Sequence, residues 1–160
     1  MYCSEKYRLR SLHALLFAAM VLVTSCASAT HSAKAAYFSG KWGYAKKCDF
    51  GHFIGITLEQ RGNRVTGDWS EGTNLRGGDG RIEGEVRETK LYVRYCSDDG
   101  EAGYSACPVF SGSEDYFLLE GEMLVRYQKY GSRYERDVAL HPDGEGHEVP
   151  FDTKCMEDEQ

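Results

Sequence analysis

Arg81-Ile82-Glu83-Gly84-Glu85-Val86-Arg87-Glu88-Thr89-Lys90-Leu91-Tyr92-Val93-Arg94-Tyr95-Cys96 is the stretch that decides the fold. Ile82, Gly84 and Val86 alternate with Arg81, Glu83 and Glu85, and after a short turn Leu91, Val93 and Tyr95 fall on one parity. Successive side chains of a strand point to opposite faces, so this period of two describes two half-buried strands joined as a hairpin. One face meets a core and the other meets water, the arrangement that antiparallel sheets allow.

Outward from this hairpin the same pattern repeats. Segments 40–44, 52–60 and 64–70 precede it, with Ile54, Ile56 and Leu58 on one face of the second segment and Val65, Gly67 and Trp69 on one face of the third. Segments 116–120, 123–130 and 134–141 follow it, joined at Gly121-Glu122 and Gly131-Ser132. Glycine-containing turns between short apolar-alternating runs read as hairpins. An open meander of this kind would leave two unpaired edges, and closure removes them. Internal glycines at Gly55, Gly67 and Gly84 suit strongly coiled strands. The expected fold is therefore all-β: a single antiparallel up-and-down meander of about eight strands closed into a small barrel, with a flattened sandwich as the alternative. A barrel of that size is either filled by side chains or holds one small ligand.

The N-terminus has a different composition. Lys6, Arg8 and Arg10 precede an apolar run over 12–23 that is too short to span a bilayer, and small residues follow it. That order reads as a helical secretory signal peptide over residues 1–25. Its end, Val23-Thr24-Ser25-Cys26, resembles the lipobox of bacterial lipoproteins. The resemblance implies diacylglyceryl transfer to Cys26, cleavage before it and a stable acyl anchor in a membrane. Ala27 rather than Asp after the cysteine implies the outer membrane, facing the periplasm. A competing A-x-A site at Ala27-Ser28-Ala29 would release a soluble periplasmic or secreted protein instead. Residues 26–36 carry little to pack a core and read as the lipidated N-terminus and a flexible tether, residues 37–141 as the barrel, and 142–160 as a polar C-terminal tail whose Pro and Gly oppose regular structure.

The net charge is −6 over 160 residues. Loss of the signal peptide removes three basic residues and one acidic one, leaving about −8. Such a chain has no electrostatic basis for binding nucleic acid, whereas a basic protein partner suits it. Of six cysteines, Cys3 leaves with the signal peptide and Cys26 is taken by lipid. Cys48, Cys96, Cys107 and Cys155 remain, an even number in a small exported domain, and read as two disulfides. Cys96 with Cys107 closes the shorter loop, which leaves Cys48 with Cys155.

Gly40-Lys41-Trp42 on the first strand resembles the G-x-W of calycin barrels, the lipocalins and avidins. Gln60-Arg61-Gly62-Asn63-Arg64-Val65-Thr66-Gly67 looks like the avidin-type hairpin that follows it. The resemblance implies structural roles for Gly40 and Trp42, with the indole packed across one end of the barrel. It carries over no biotin-contacting residue.

No nucleophile and base can be named together, and no P-loop, G-x-S-x-G or H-E-x-x-H is present, so a non-enzyme without cofactor is expected. His141-Pro142-Asp143-Gly144-Glu145-Gly146-His147-Glu148 is dense in possible ligands, but its spacing fits neither a helical H-x3-H face nor an EF-hand loop, so no metal site is assigned. Ser97-Asp98-Asp99-Gly100-Glu101 reads as a solvated acidic loop. Tyr92, Tyr95, Tyr104, Tyr116, Tyr127, Tyr130 and Tyr134 crowd the later part of the chain, where they suit either strand packing or a hydrogen-bonding binding surface. The expected function is an envelope binding protein for a small ligand or a protein partner, one version being an inhibitor of a lytic enzyme. The alternative is a structural accessory lipoprotein of an envelope assembly.

Overall fold

The structure, a computed structural model, describes residues 36–48, 50–99 and 103–153. The signal peptide, Cys26 and nearly all of the tether lie outside the described residues, as does Cys155. Among the described residues there is no helix and there are nine strands: β1 Gly40–Lys46, β2 His52–Arg61, β3 Arg64–Gly72, β4 Gly77–Arg87, β5 Lys90–Ser97, β6 Asp115–Glu120, β7 Met123–Tyr130, β8 Arg133–Pro142 and β9 Phe151–Asp152.

Each of β1 to β7 pairs antiparallel with the next, and β8 returns to β1, which closes the meander into a barrel. The deciding hairpin has the register its pattern requires, with Ile82 opposite Tyr95, Gly84 opposite Val93 and Val86 opposite Leu91. Ile54, Ile56, Leu58, Val65, Trp69, Ile82, Leu91 and Val93 meet in the interior, joined by Phe117, Leu124, Val138 and Leu140. Apolar side chains thus fill the barrel from one end to roughly its middle.

That filled end is also capped. Phe38, fully buried, tucks beneath the barrel, and its N–H donates to Gln60 Oε1 at 2.8 Å while its carbonyl accepts from Trp42 Nε1 at 3.1 Å. Trp42 is 9 % exposed within the core cluster, and Gly40 has a φ of +143°, a conformation that side-chain-bearing residues rarely adopt.

Two features depart from the expectations. Residues 142–160 are not wholly without regular structure, because β9 runs parallel to β1, with Ala45 opposite Phe151 and Lys46 opposite Asp152. Val149 packs on Gly43 of the same strand, so the tail lies along the barrel wall; Gly144 and His147 form a bridge on the way. The second departure is a bulge. Val125 faces Ala139 and Tyr127 faces Arg136, so Arg126 alone on β7 opposes two residues, Asp137 and Val138, on β8. An extra residue in one strand kinks the ladder and re-aims a side chain.

Candidate functional site

Alternation of strand direction puts the connections 47–51, 73–76, 98–114 and 131–132 at one end, opposite the Phe38 cap. This end is open. Strand parity carries the inward rows of β2, β3, β5 and β7 up to it as His52, Glu71, Tyr95 and Arg126, and here the interior changes from apolar to charged.

Arg126 is the centre of the change, with its side chain 4 % exposed. Nη1 and Nη2 donate to Glu71 Oε2 and Oε1 at 2.7 and 3.1 Å, a bidentate pair, and Nε donates to Asp137 Oδ2 at 2.5 Å. Asp137 is one of the two β8 residues that the bulge sets opposite Arg126. His52 Nε2 lies 2.9 Å from Glu71 Oε1. Burial pushes the Glu71 carboxyl up, but the hydrogen bonds and charge of Arg126, with the contribution of His52, outweigh it and hold it below the usual glutamate value. Arg126 is held above its ordinary value, because its bonds to Glu71 outweigh the desolvation that opposes its charge. Both groups therefore stay ionised, as a buried pair must if neither is to be left bare.

Aromatic rings stand beside this pair. Trp69 meets Tyr95 edge-on, with centroids 5.9 Å apart, and Tyr104 at 4.8 Å. Trp69 Nε1 donates to the Cys96 carbonyl at 3.0 Å. Tyr104 comes from the long β5–β6 connection, and the Cys96–Cys107 disulfide ties that connection to β5. Ser97 N–H donates to the Ser105 carbonyl and Cys107 N–H to the Ser97 carbonyl, both at 2.9 Å. The expected pairing of Cys96 with Cys107 is present, and it brings Tyr104 over the mouth.

Two cavities result. The larger, about 440 Å³, is lined by His52, Trp69, Glu71, Thr73, Arg76, Tyr104 and Gln128, together with glycine backbone at Gly72, Gly77 and Gly78. The smaller, about 260 Å³, shares Tyr104 and Gln128 with it and adds Tyr95, Ser111 and Asp115. Burial raises Asp115 above the usual aspartate value, although the Lys129 N–H donates to it at 2.9 Å. Tyr95 is 5 % exposed and its hydroxyl has no hydrogen-bond partner among the described residues.

The sequence-expected residues scatter around this site. Trp42 and Gly40 lie at the opposite end. Cys48 is disulfide-bonded, and the pairing expected for it with Cys155 falls outside the described residues. The late tyrosines divide: Tyr95 and Tyr104 are at the mouth, Tyr130 is exposed, and Tyr92, Tyr116, Tyr127 and Tyr134 form a cluster on the outer wall, with Tyr116 and Tyr127 stacked at 4.7 Å. His141 pairs with Gly43, and among the described residues no group of three His, Cys, Asp or Glu side chains is placed to hold a metal. Sequence reasoning missed His52, Glu71, Arg126, Asp137 and Asp115. Leu124, Arg126 and Gln128 share one parity on β7, and a cation on the inward parity was the available signal.

No protein-family profile, curated protein or solved structure matches this chain.

Proposed function

We propose that this protein is an exported, lipid-anchored envelope barrel that binds a ligand or protein partner at its open mouth and does no chemistry on it. The carrying observation is the cavity of about 440 Å³ with aromatic walls and an ionised, cross-braced Glu71–Arg126 pair. Pockets for small molecules are mostly apolar clefts with a few fixed polar groups, and rigid placement lowers the ordering cost of binding. A binding role fits better than catalysis because Arg126 and His52 hold Glu71 as a fixed charge, suited to attracting a ligand more than to exchanging a proton. Thr73, the one hydroxyl of a serine or threonine lining the larger cavity, is turned toward the Arg76 carbonyl at 3.4 Å. The acidic chain suits a basic partner, and an inhibitor of a lysozyme-like enzyme is the specific version. The stacked tyrosines on the outer wall support a second reading, an accessory lipoprotein that docks on an envelope neighbour.

The test uses a plugged mouth. A Cβ at Gly78 would meet only ordinary contacts, the nearest at 3.8 Å, so Gly78→Phe introduces a ring at the cavity wall without a backbone clash, and its urea midpoint checks that the fold is kept. Thermal unfolding is followed with envelope-derived small molecules and with basic lysozyme. At one hundred times its Kd a true ligand adds about 2.7 kcal/mol, a rise of several degrees, to the wild type and not to Gly78→Phe. Equal stabilisation of both proteins, or none of either, overturns the mouth as the binding site.

A further inference from the structure

Not every carboxylate of the mouth is matched by a cationic side chain among the described residues. Glu71, Asp115 and Asp137 are partly buried carboxylates, and Arg126 is the cation buried among them. Arg126 is already bonded to both Glu71 and Asp137, and His52 to Glu71, whereas among the described residues Asp115 is met by the Lys129 backbone N–H and forms no ion pair. Arg76 and Lys129 border the cavities, but both are exposed at the rim, where water and salt screen them. Surplus negative charge in a half-buried site is unfavourable unless something pairs with it.

A second, independent feature is the Tyr95 hydroxyl. It is buried without a partner among the described residues, Tyr95 lines the smaller cavity together with Asp115, and the hydroxyl lies in the fields of Arg126 and Asp115. An unpaired buried hydroxyl is costly, and in a native protein it calls for a group that completes it. The third feature is the aromatic wall: the ring of Tyr104 is shared by both cavities, and the face of an aromatic ring attracts a cation.

We propose that the mouth is a site for an organic cation, an alkylammonium or alkylguanidinium group, held between Glu71 and Asp115, bonded to the Tyr95 hydroxyl and packed along Tyr104. This deepens the binding reading above and rests on it. The cation supplies N–H donors to the two carboxylates and to the tyrosine oxygen, and its alkyl stem covers the apolar part of the wall. A free amine and a Lys or Arg side chain offered by a basic protein present the same chemistry.

The experiment measures binding of four probes of similar size, butylguanidinium, butylammonium, butyrate and butanol, by calorimetry and thermal shift. The wild type should bind the two cations at least tenfold more tightly than butyrate or butanol. Asp115→Asn should remove most of that preference. Tyr95→Phe should weaken cation binding two- to tenfold while the free protein is no less stable, an outcome that a purely structural tyrosine would not give. Butyrate or butanol binding as tightly as the cations, and being blocked by Gly78→Phe, would overturn the cationic class and leave the mouth as a binding site. Binding of every probe unaffected by both Gly78→Phe and Asp115→Asn would overturn both. Lysozyme separates the sources: displacement of bound lysozyme by butylguanidinium assigns the cation to a protein side chain, whereas cation binding that lysozyme does not contest assigns it to a free amine.

Discussion

Arg126 sits where a leucine would suit the β7 pattern, since its inward neighbour Leu124 is fully buried. A guanidinium there is sustained only by its partners, and removing one partner of a buried pair leaves an uncompensated charge. Truncating Arg126 to Ala should therefore cost about 3 to 5 kcal/mol, with Glu71 and Asp137 left facing each other. Glu71→Gln should cost less, because Asp137 still holds the cation. The double variant should fall short of the sum by about 0.5 to 3 kcal/mol, since both changes break the same bonds. The pH dependence has a definite sign. Glu71 is depressed in the folded protein, so its contribution is fully present above the ordinary glutamate value and is lost as pH falls through the folded one. The stability gap between the wild type and Glu71→Gln should narrow as the pH goes from about 5 to about 3, by urea midpoints. Asp115 works in the opposite direction, because burial raises it and acid relieves a penalty; that relief occurs in both proteins and differs between them only by the share that the Glu71 charge adds, the least of its causes. A gap that widens in acid would show that Glu71 is not held by Arg126 in solution.

At the scale of elements, the strands owe their legibility to punctuation. Glycine turns and apolar alternation place eight segments, and the observed strands extend them by a few residues at most, because each parity choice is locked once one face is buried. Gly67 shows what alternation could suggest without giving the reason. A Cβ there would lie 1.8 Å from the Thr57 carbonyl oxygen, so the strand interior needs glycine for close approach of β2 to β3 and not merely for bending. Gly67→Ala should lower stability by about 1 to 3 kcal/mol, as overpacking does, whereas Gly112→Ala, with nothing within 4 Å, should change it little. Equal urea midpoints for the two variants would mean that β2 and β3 are farther apart than this register places them. Other elements were beyond local reading. The β8 bulge exists to set Asp137 against Arg126, a contact between strands that no window of one strand contains. Phe151–Asp152 is too short for a period, and only pairing with β1 makes it a strand. The site is less legible than the fold for the same reason, since His52, Glu71, Arg126 and Asp137 come from four strands and meet only after closure.

At the scale of the whole molecule, closure is narrow and the tail completes it. β1 and β8 share two register pairs, Trp42 with Pro142 and Gly43 with His141, and β9 then takes over the edge of β1 at Ala45 and Lys46. Because β9 is parallel to β1, both strands run toward the same open end. Cys48 stands two residues past Lys46, and Cys155 three residues past Asp152. Parallel strands in register carry their next residues side by side, so Cys155 is the partner expected for Cys48, which is disulfide-bonded. A bridge from Cys48 to Cys155 would lock β9 onto the seam and close a loop worth about 4 to 5 kcal/mol on the chain-entropy view. The same mature protein should begin at an acylated Cys26. Both expectations meet in one measurement, intact mass and a non-reducing peptide map of protein extracted from membranes. The expected map contains Cys48 linked to Cys155 and Cys96 linked to Cys107, with the N-terminal peptide carrying the mass of acyl chains. Cys48 joined to any other cysteine would detach the tail from this account of the seam, and an unmodified N-terminus at Thr30 would make the barrel a released protein instead of a tethered one.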